Sequence, residues 1–194
     1  AEAKKTFIGE PYERVMVYFY RGILYWMDGE PDNARACFRS AQFQDADTEA
    51  RTYAADYILL DYLDGFASTK LGGDGGDEFN RAVKNARNGL QPPDYPKKAN
   101  VLVFIEYGRG PRKFAAGPHG QQLRLAEQAG GARMATLRVG TQQYPLPPYD
   151  DLQWQATTRG GPAMDHILGN KPVFKDATAG TAMAAAITAG GLAH

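Results

Sequence analysis

The pattern of apolar and polar positions divides the chain before any motif is considered. Residues 1–10 are mostly polar, with one apolar pair, Phe7-Ile8. From Val15 to Met27 nearly every position is apolar or aromatic, interrupted only by Arg21 and Gly22. A helix apolar all round must be covered on all sides, so this run predicts a buried helix. Glu10-Pro11-Tyr12-Glu13 supplies its start, with proline and acid in the first turn. Asp28-Gly29 ends it, because glycine takes the left-handed conformation of a helix stop. Pro31 and Asp32 suit the first turn of a second helix, over about 31 to 44. There Ala34, Phe38 and Ala41 fall on one face at i, i+4 and i+7. A third helix is expected from Glu49 to Leu63, capped by Asp47 or Thr48 and stopped by Asp64-Gly65. Its apolar stripe is Tyr53, Tyr57, Leu60 and Leu63. After a Gly-rich insertion, Ser68 to Gly76, Ala82 and Ala86 belong to a fourth helix.

Beyond residue 90 the period changes. Gln91-Pro92-Pro93-Asp94-Tyr95-Pro96 is an extended linker, since proline restrains itself and its predecessor. Asn100 to Ile105 predicts a strand continuous enough to be buried on both faces. Gly108-Arg109-Gly110-Pro111 predicts a turn, and 113 to 133 a long connection. Met134 to Tyr144 reads as one strand, with Met134, Leu137 and Val139 as its apolar positions. Tyr144 to Tyr149 is extended and proline-rich. Leu152, Trp154 and Ala156 alternate with polar neighbours, as in a half-exposed strand. Residues 176 to 193 are nearly all Ala, Gly, Thr and Met, too weakly apolar to span a bilayer and better suited to a close-packed helix.

Tyr18, Gly22, Tyr25, Ala34, Phe38 and Ala41 resemble the large, small and aromatic positions of a tetratricopeptide repeat. Asp64-Gly65 echoes Asp28-Gly29 at 36 positions, close to the roughly 34 of that repeat. The resemblance implies a partner-binding scaffold, with Gly22 where two helix backbones approach. A leucine at Gly22 should then overpack the hairpin, whereas an alanine should be tolerated. The fold expected is α+β. Tetratricopeptide-like helical hairpins (residues 1–90) pack on a small, mostly antiparallel sheet (91–175). An Ala/Gly-rich helix or tail (176–194) follows.

Composition narrows the chemistry. With 22 basic and 22 acidic residues the chain has no net charge, so nothing favours nucleic acid or an anionic membrane surface. Cys37 is the only cysteine and excludes an intrachain disulfide; it reads as a small buried thiol. Gly75-Gly76-Asp77-Glu78-Phe79 spells the signature that names diguanylate cyclases, but Gly73 stands where that family has arginine. The string is therefore read as a loop leading into a helix capped by Asp77, with no nucleotide site. His119, His166 and His194 lack metal-ligand spacing, and Glu106 and Asp150-Asp151 pair only if the fold joins them. Neither a metal nor a cofactor is expected.

A wider likeness runs along the chain. Gly9 to Arg14, Tyr20-Arg21-Gly22, Asn33-Ala34-Arg35, Phe38, Asn100 to Val103, Glu106-Tyr107-Gly108 and Gly110 to Lys113 together resemble poorly characterised bacterial envelope proteins of the tetratricopeptide lipoprotein kind. The resemblance implies export to the periplasm, outer membrane or exterior and a lipid anchor upstream; the weakly apolar run at 176 to 193 leaves no transmembrane span expected in this chain. The expected function is a non-enzymatic scaffold binding a protein partner through Met16, Phe19, Ile23, Trp26 and Met27. The alternatives are a self-assembling envelope subunit and a hydrolase built near Glu106 and His119.

Overall fold

The computed structural model describes residues 9–46, 55–87, 92–95, 98–99, 101–117 and 122–158. The N-terminal arm, the cap at Asp47 or Thr48, Tyr53, all three histidines and the Ala-rich tail lie outside them. Four helices come first: α1 (Pro11–Met27), α2 (Pro31–Ala46), α3 (Ile58–Lys70) and α4 (Gly76–Asn85). Two strand pairs follow, β1 (Arg112–Ala116) with β2 (Gln122–Ala126) and β3 (Ala135–Val139) with β4 (Gln142–Leu146), then α5 (Leu152–Thr158). The fold is α+β.

The helices form two hairpins, with α1 on α2, α2 on α3 and α3 on α4. Pro11 opens α1, and the Glu13 carboxylate accepts the orphan N–H of Glu10 at 2.8 Å. Gly29, at φ 80°, turns the chain into α2. The core joins Val15 and Phe19 of α1, Ala34, Phe38 and Ala41 of α2, and Tyr57, Leu60 and Leu63 at α3. Phe38 is 1% exposed, and its ring lies flat on the space that a Gly22 side chain would fill. A Cβ at Gly22 would stand 2.5 Å from Phe38 Cε1 and 2.9 Å from Cδ1. Even alanine is therefore too large, which corrects the expectation that it is tolerated.

The second hairpin repeats the device. A Cβ at Gly65 of α3 would stand 3.0 Å from Phe79 Cδ1 and Cε1 of α4. Gly22, Gly29 and the α1 end at Met27 recur 43 positions later as Gly65, Gly72 and the α3 end at Lys70. Gly72 has φ 93°, so it matches Gly29 as the left-handed stop. The spacing of 36 suggested by Asp28-Gly29 and Asp64-Gly65 thus aligned the wrong glycines. Asp64-Gly65 does not end α3 at Leu63; the helix continues to Lys70. Asp64 is 1% exposed and accepts Arg35 Nε at 2.7 Å and Arg81 Nη2 at 3.4 Å, so it faces inward.

The second half departs further from the sequence pattern. Instead of one sheet there are two separate antiparallel hairpins, in register Arg112↔Ala126 to Ala116↔Gln122 and Ala135↔Leu146 to Val139↔Gln142. Met134 to Tyr144 is not one strand, because Gly140 at φ 61° turns the chain inside it. The long connection from 113 contains β1 and β2. Residues 152–157, read as a strand, are helical: the Asp151 carboxylate accepts the N–H groups of Gln153 and Trp154 and caps α5. Residues 101–106 belong to no ladder and are not buried on both faces. Only Leu102 and Phe104 reach the helical core. Helix α5 touches both α1 and β2, and Lys113 pairs with Glu13, so the halves are joined at several points.

Gly22→Ala should lower stability by about 1–3 kcal/mol through overpacking, despite a helix-propensity gain of about 1 kcal/mol. In a Phe38→Leu background the same change should cost less. Urea denaturation of the four proteins measures both; equal costs would mean that the Phe38 ring does not meet the new methyl.

Candidate functional site

The five positions expected to form a groove on α1 do not share one environment. Phe19 is 3% exposed and meets the Phe104 ring edge-on at 5.9 Å. Met16, Ile23 and Trp26 pack partly buried against the core. The Tyr57 hydroxyl donates to Met16 Sδ at 2.8 Å, and the Trp26 ring lies 4.8 Å from Phe66. Met27 is 76% exposed. The chain itself thus occupies much of that face, through α3 and the segment carrying Phe104. Helix α1 is not covered all round, contrary to the expectation from its apolar run: Val17, Tyr20, Leu24 and Met27 form an outward stripe at i, i+3, i+7 and i+10.

Residues 101–106 run beside that helix. Leu102 and Phe104 point to the core, while Val101, Val103 and Ile105 are exposed at 73%, 65% and 44%. This alternation is that of an extended chain with one face buried. Two hydrogen bonds fix its far end. The Tyr20 hydroxyl donates to Glu106 Oε1 at 2.7 Å, and the Tyr107 hydroxyl donates to the Leu146 carbonyl at 3.1 Å. Burial and the Glu106 carboxylate push the Tyr20 hydroxyl up to about 12, so it remains the donor at neutral pH. The segment is apolar, β-branched outward, anchored inward and unpaired in any sheet among the described residues.

Several carboxylates of the helical body hold its helices together. Asp61 and Asp64 of α3 lie between Arg35 of α2 and Arg81 of α4, and Glu78 closes the group on Arg35 at 3.0 Å. Gln42 and Asn85 add further hydrogen bonds to Asp61. Glu106 accepts Tyr20, and Asp151 caps α5. Asp150 accepts the Leu59 N–H at 2.6 Å, at the first turn of α3. Its other oxygen, Oδ1, is buried without a hydrogen-bond partner. Trp154 Nε1 donates to Asp56 Oδ2 at 2.9 Å, and the Arg87 guanidinium lies 4.0 Å over the Trp154 ring. Helix α5 is thereby latched to the helical body through Asp150, which the sequence marked only as a possible partner of Glu106, and Asp56, which it did not mark.

In the cyclase-like string, Gly75 is the left-handed residue before α4 and the Asp74 carboxylate takes the Gly76 N–H, so Asp77 is not the cap. Phe79 stacks in the hairpin and Glu78 pairs with Arg35, so these residues build helix packing. Cys37 is buried, and burial pushes its thiol up. Among the described residues no three His, Cys, Asp or Glu side chains converge to hold a metal, and no helix is long and apolar enough to cross a membrane. No protein-family model matches the chain, and neither curated proteins nor solved structures yield a match.

Asp150 sets a pH dependence. Burial pushes its carboxyl well above the ordinary 3.8; Asp45 and Asp56 push it further, against the Leu59 N–H and Arg87. A carboxyl raised by folding binds its proton more tightly in the folded chain. Its stabilising contribution is complete below the unfolded value and is lost as pH rises through the folded one. Asp150→Asn keeps an acceptor for Leu59 and removes the charge. Melting temperatures of both proteins between about pH 4 and pH 7 should diverge, the variant gaining on the wild type as pH rises. Parallel curves would remove Asp150 from the account.

Proposed function

We propose that this chain is a non-enzymatic, protein-binding scaffold that takes up an extended segment of a partner protein along residues 101–105. What supports the reading is one observation: a β-branched, apolar stretch is anchored by Leu102 and Phe104 and held by Tyr20, yet leaves Val101, Val103 and Ile105 exposed. An unpaired extended backbone with apolar outward side chains is a template for strand addition. Backbone hydrogen bonds supply affinity there, and alternate side chains supply selectivity. The neighbouring stripe of Val17, Leu24 and Met27 extends the apolar surface such a partner would cover. The partner's chemistry follows: an uncharged, β-branched or aromatic strand, opposite a surface poor in charge. Placement in the bacterial envelope, after export, is part of the proposal and rests on the resemblance of Gly9–Arg14 and the later strings.

Panning a displayed library of random linear peptides against the protein tests the reading. Enriched peptides should alternate β-branched or aromatic residues, and Val103→Lys should weaken them at least about tenfold, or about 1.4 kcal/mol, with the melting temperature unchanged. Enrichment that ignores Val103→Lys would sink it. Light scattering separates the other occupant: a species larger than one chain that Val103→Lys reduces to one chain would assign the edge to a second copy, a self-assembling subunit.

A further inference from the structure

A second feature lies apart from that edge, between α4 and the segment 92–95. A cleft of about 250 Å³ opens there, walled by the rings of Tyr62, Phe79 and Tyr95. The Tyr62 ring stands edge-on to Phe79 at 5.2 Å, and Phe79 stacks with Tyr95 at 5.5 Å. Two carboxylates, Asp74 and Asp94, line the same cleft. Asp74 Oδ1 accepts the Gly76 N–H. Neither acid is ion-paired with a lysine or arginine among the described residues, in contrast to Asp61 and Asp64. The Tyr95 hydroxyl is buried and has no hydrogen-bond partner.

These features select a ligand class. An anion would meet two carboxylates and the negative faces of the rings. A neutral apolar molecule would leave both acids as they are. A cation with an apolar body meets both features, since an ammonium group is drawn to aromatic rings and to carboxylates together. The chain already places one such group on this aromatic cluster: Lys70 Nζ lies 5.5 Å from the Phe66 centroid and 5.7 Å from that of Tyr95. At about 250 Å³ the cleft has room for a small alkylammonium ion. We propose that this cleft binds an organic ammonium ion, either a free alkylammonium or the ammonium end of a lysine side chain, with Asp94 and Asp74 as counter-ions and the Tyr62, Phe79 and Tyr95 rings as its walls.

The test is a titration followed by NMR at low salt, reading the Val83 methyl and the three rings. The probes are choline, butylammonium and a lysine blocked at both ends, with 3,3-dimethylbutanol as the neutral isostere of choline. Saturable shifts are expected with the cations, at least tenfold tighter than with the alcohol. Asp94→Asn, a change at an exposed residue, should weaken the cations at least fivefold and leave the alcohol unaffected. Asp77→Asn, an exposed acid outside the cleft, should change neither. The tightest cation identifies the source, blocked lysine for a peptide and choline or butylammonium for a free amine. Equal affinity for the alcohol, cation binding indifferent to Asp94→Asn, or no saturable shift with any cation would each overturn the proposal.

Discussion

The helical body depends on an aromatic ring lying against a glycine. Phe38 covers Gly22 between α1 and α2, and Phe79 covers Gly65 between α3 and α4. A ring pressed on bare backbone lets two helices approach until a methyl is excluded at Gly22 and only tightly accommodated at Gly65, and close packing of that kind fixes one register along both helices. The register then decides everything outward of it. It turns Val15 and Phe19 to the core, sends Val17 and Leu24 to solvent, and sets Arg35 where it meets α3.

Charge enforces the same arrangement from the other side. Asp64 is almost wholly buried, and it takes a guanidinium from α2 and another from α4. A buried carboxylate that lost either partner would be left with an unmet desolvation cost, so α2, α3 and α4 cannot slide independently. These acids sit in the interior for that reason. Exposed apolar side chains lie elsewhere among the described residues, Val101, Val103 and Ile105 among them, and the rings of Tyr62, Phe79 and Tyr95 line a cleft.

The second half is organised by its attachments. Two-stranded hairpins have little stability alone, and β1, β3 and β4 are mostly exposed. They are held by α5, by the Lys113–Glu13 pair and by Tyr107 on Leu146. Asp150 and the Asp56–Trp154 hydrogen bond tie α5 to the start of α3. An acidic latch and an open extended segment thus lie on the same body that the glycine–phenylalanine contacts make rigid.

The sequence by itself determined the first hairpin. Its apolar period, Pro11 and Pro31 at the helix starts and Gly29 at the turn are local signals, and the structure uses each of them. Its α+β class was legible for the same reason, from a change of period near residue 90. Tertiary structure decided what local signals leave ambiguous. Asp64-Gly65 reads as a stop, but arginines from two other helices make Asp64 an interior acceptor, and Phe79 needs Gly65 within the helix. The run 101–105 reads as a central strand, but whether a strand is paired depends on a neighbour that no local pattern specifies. Leu152 to Thr157 alternates like a strand, yet the Asp151 cap and burial of Gln155 and Ala156 make it a helix. The α1 face illustrates the same limit. Periodicity can say that Met16, Phe19, Ile23 and Trp26 need cover, but only the packed chain decides that Tyr57, Phe66 and Phe104 provide it. Long-range burial chose among local options of nearly equal free energy.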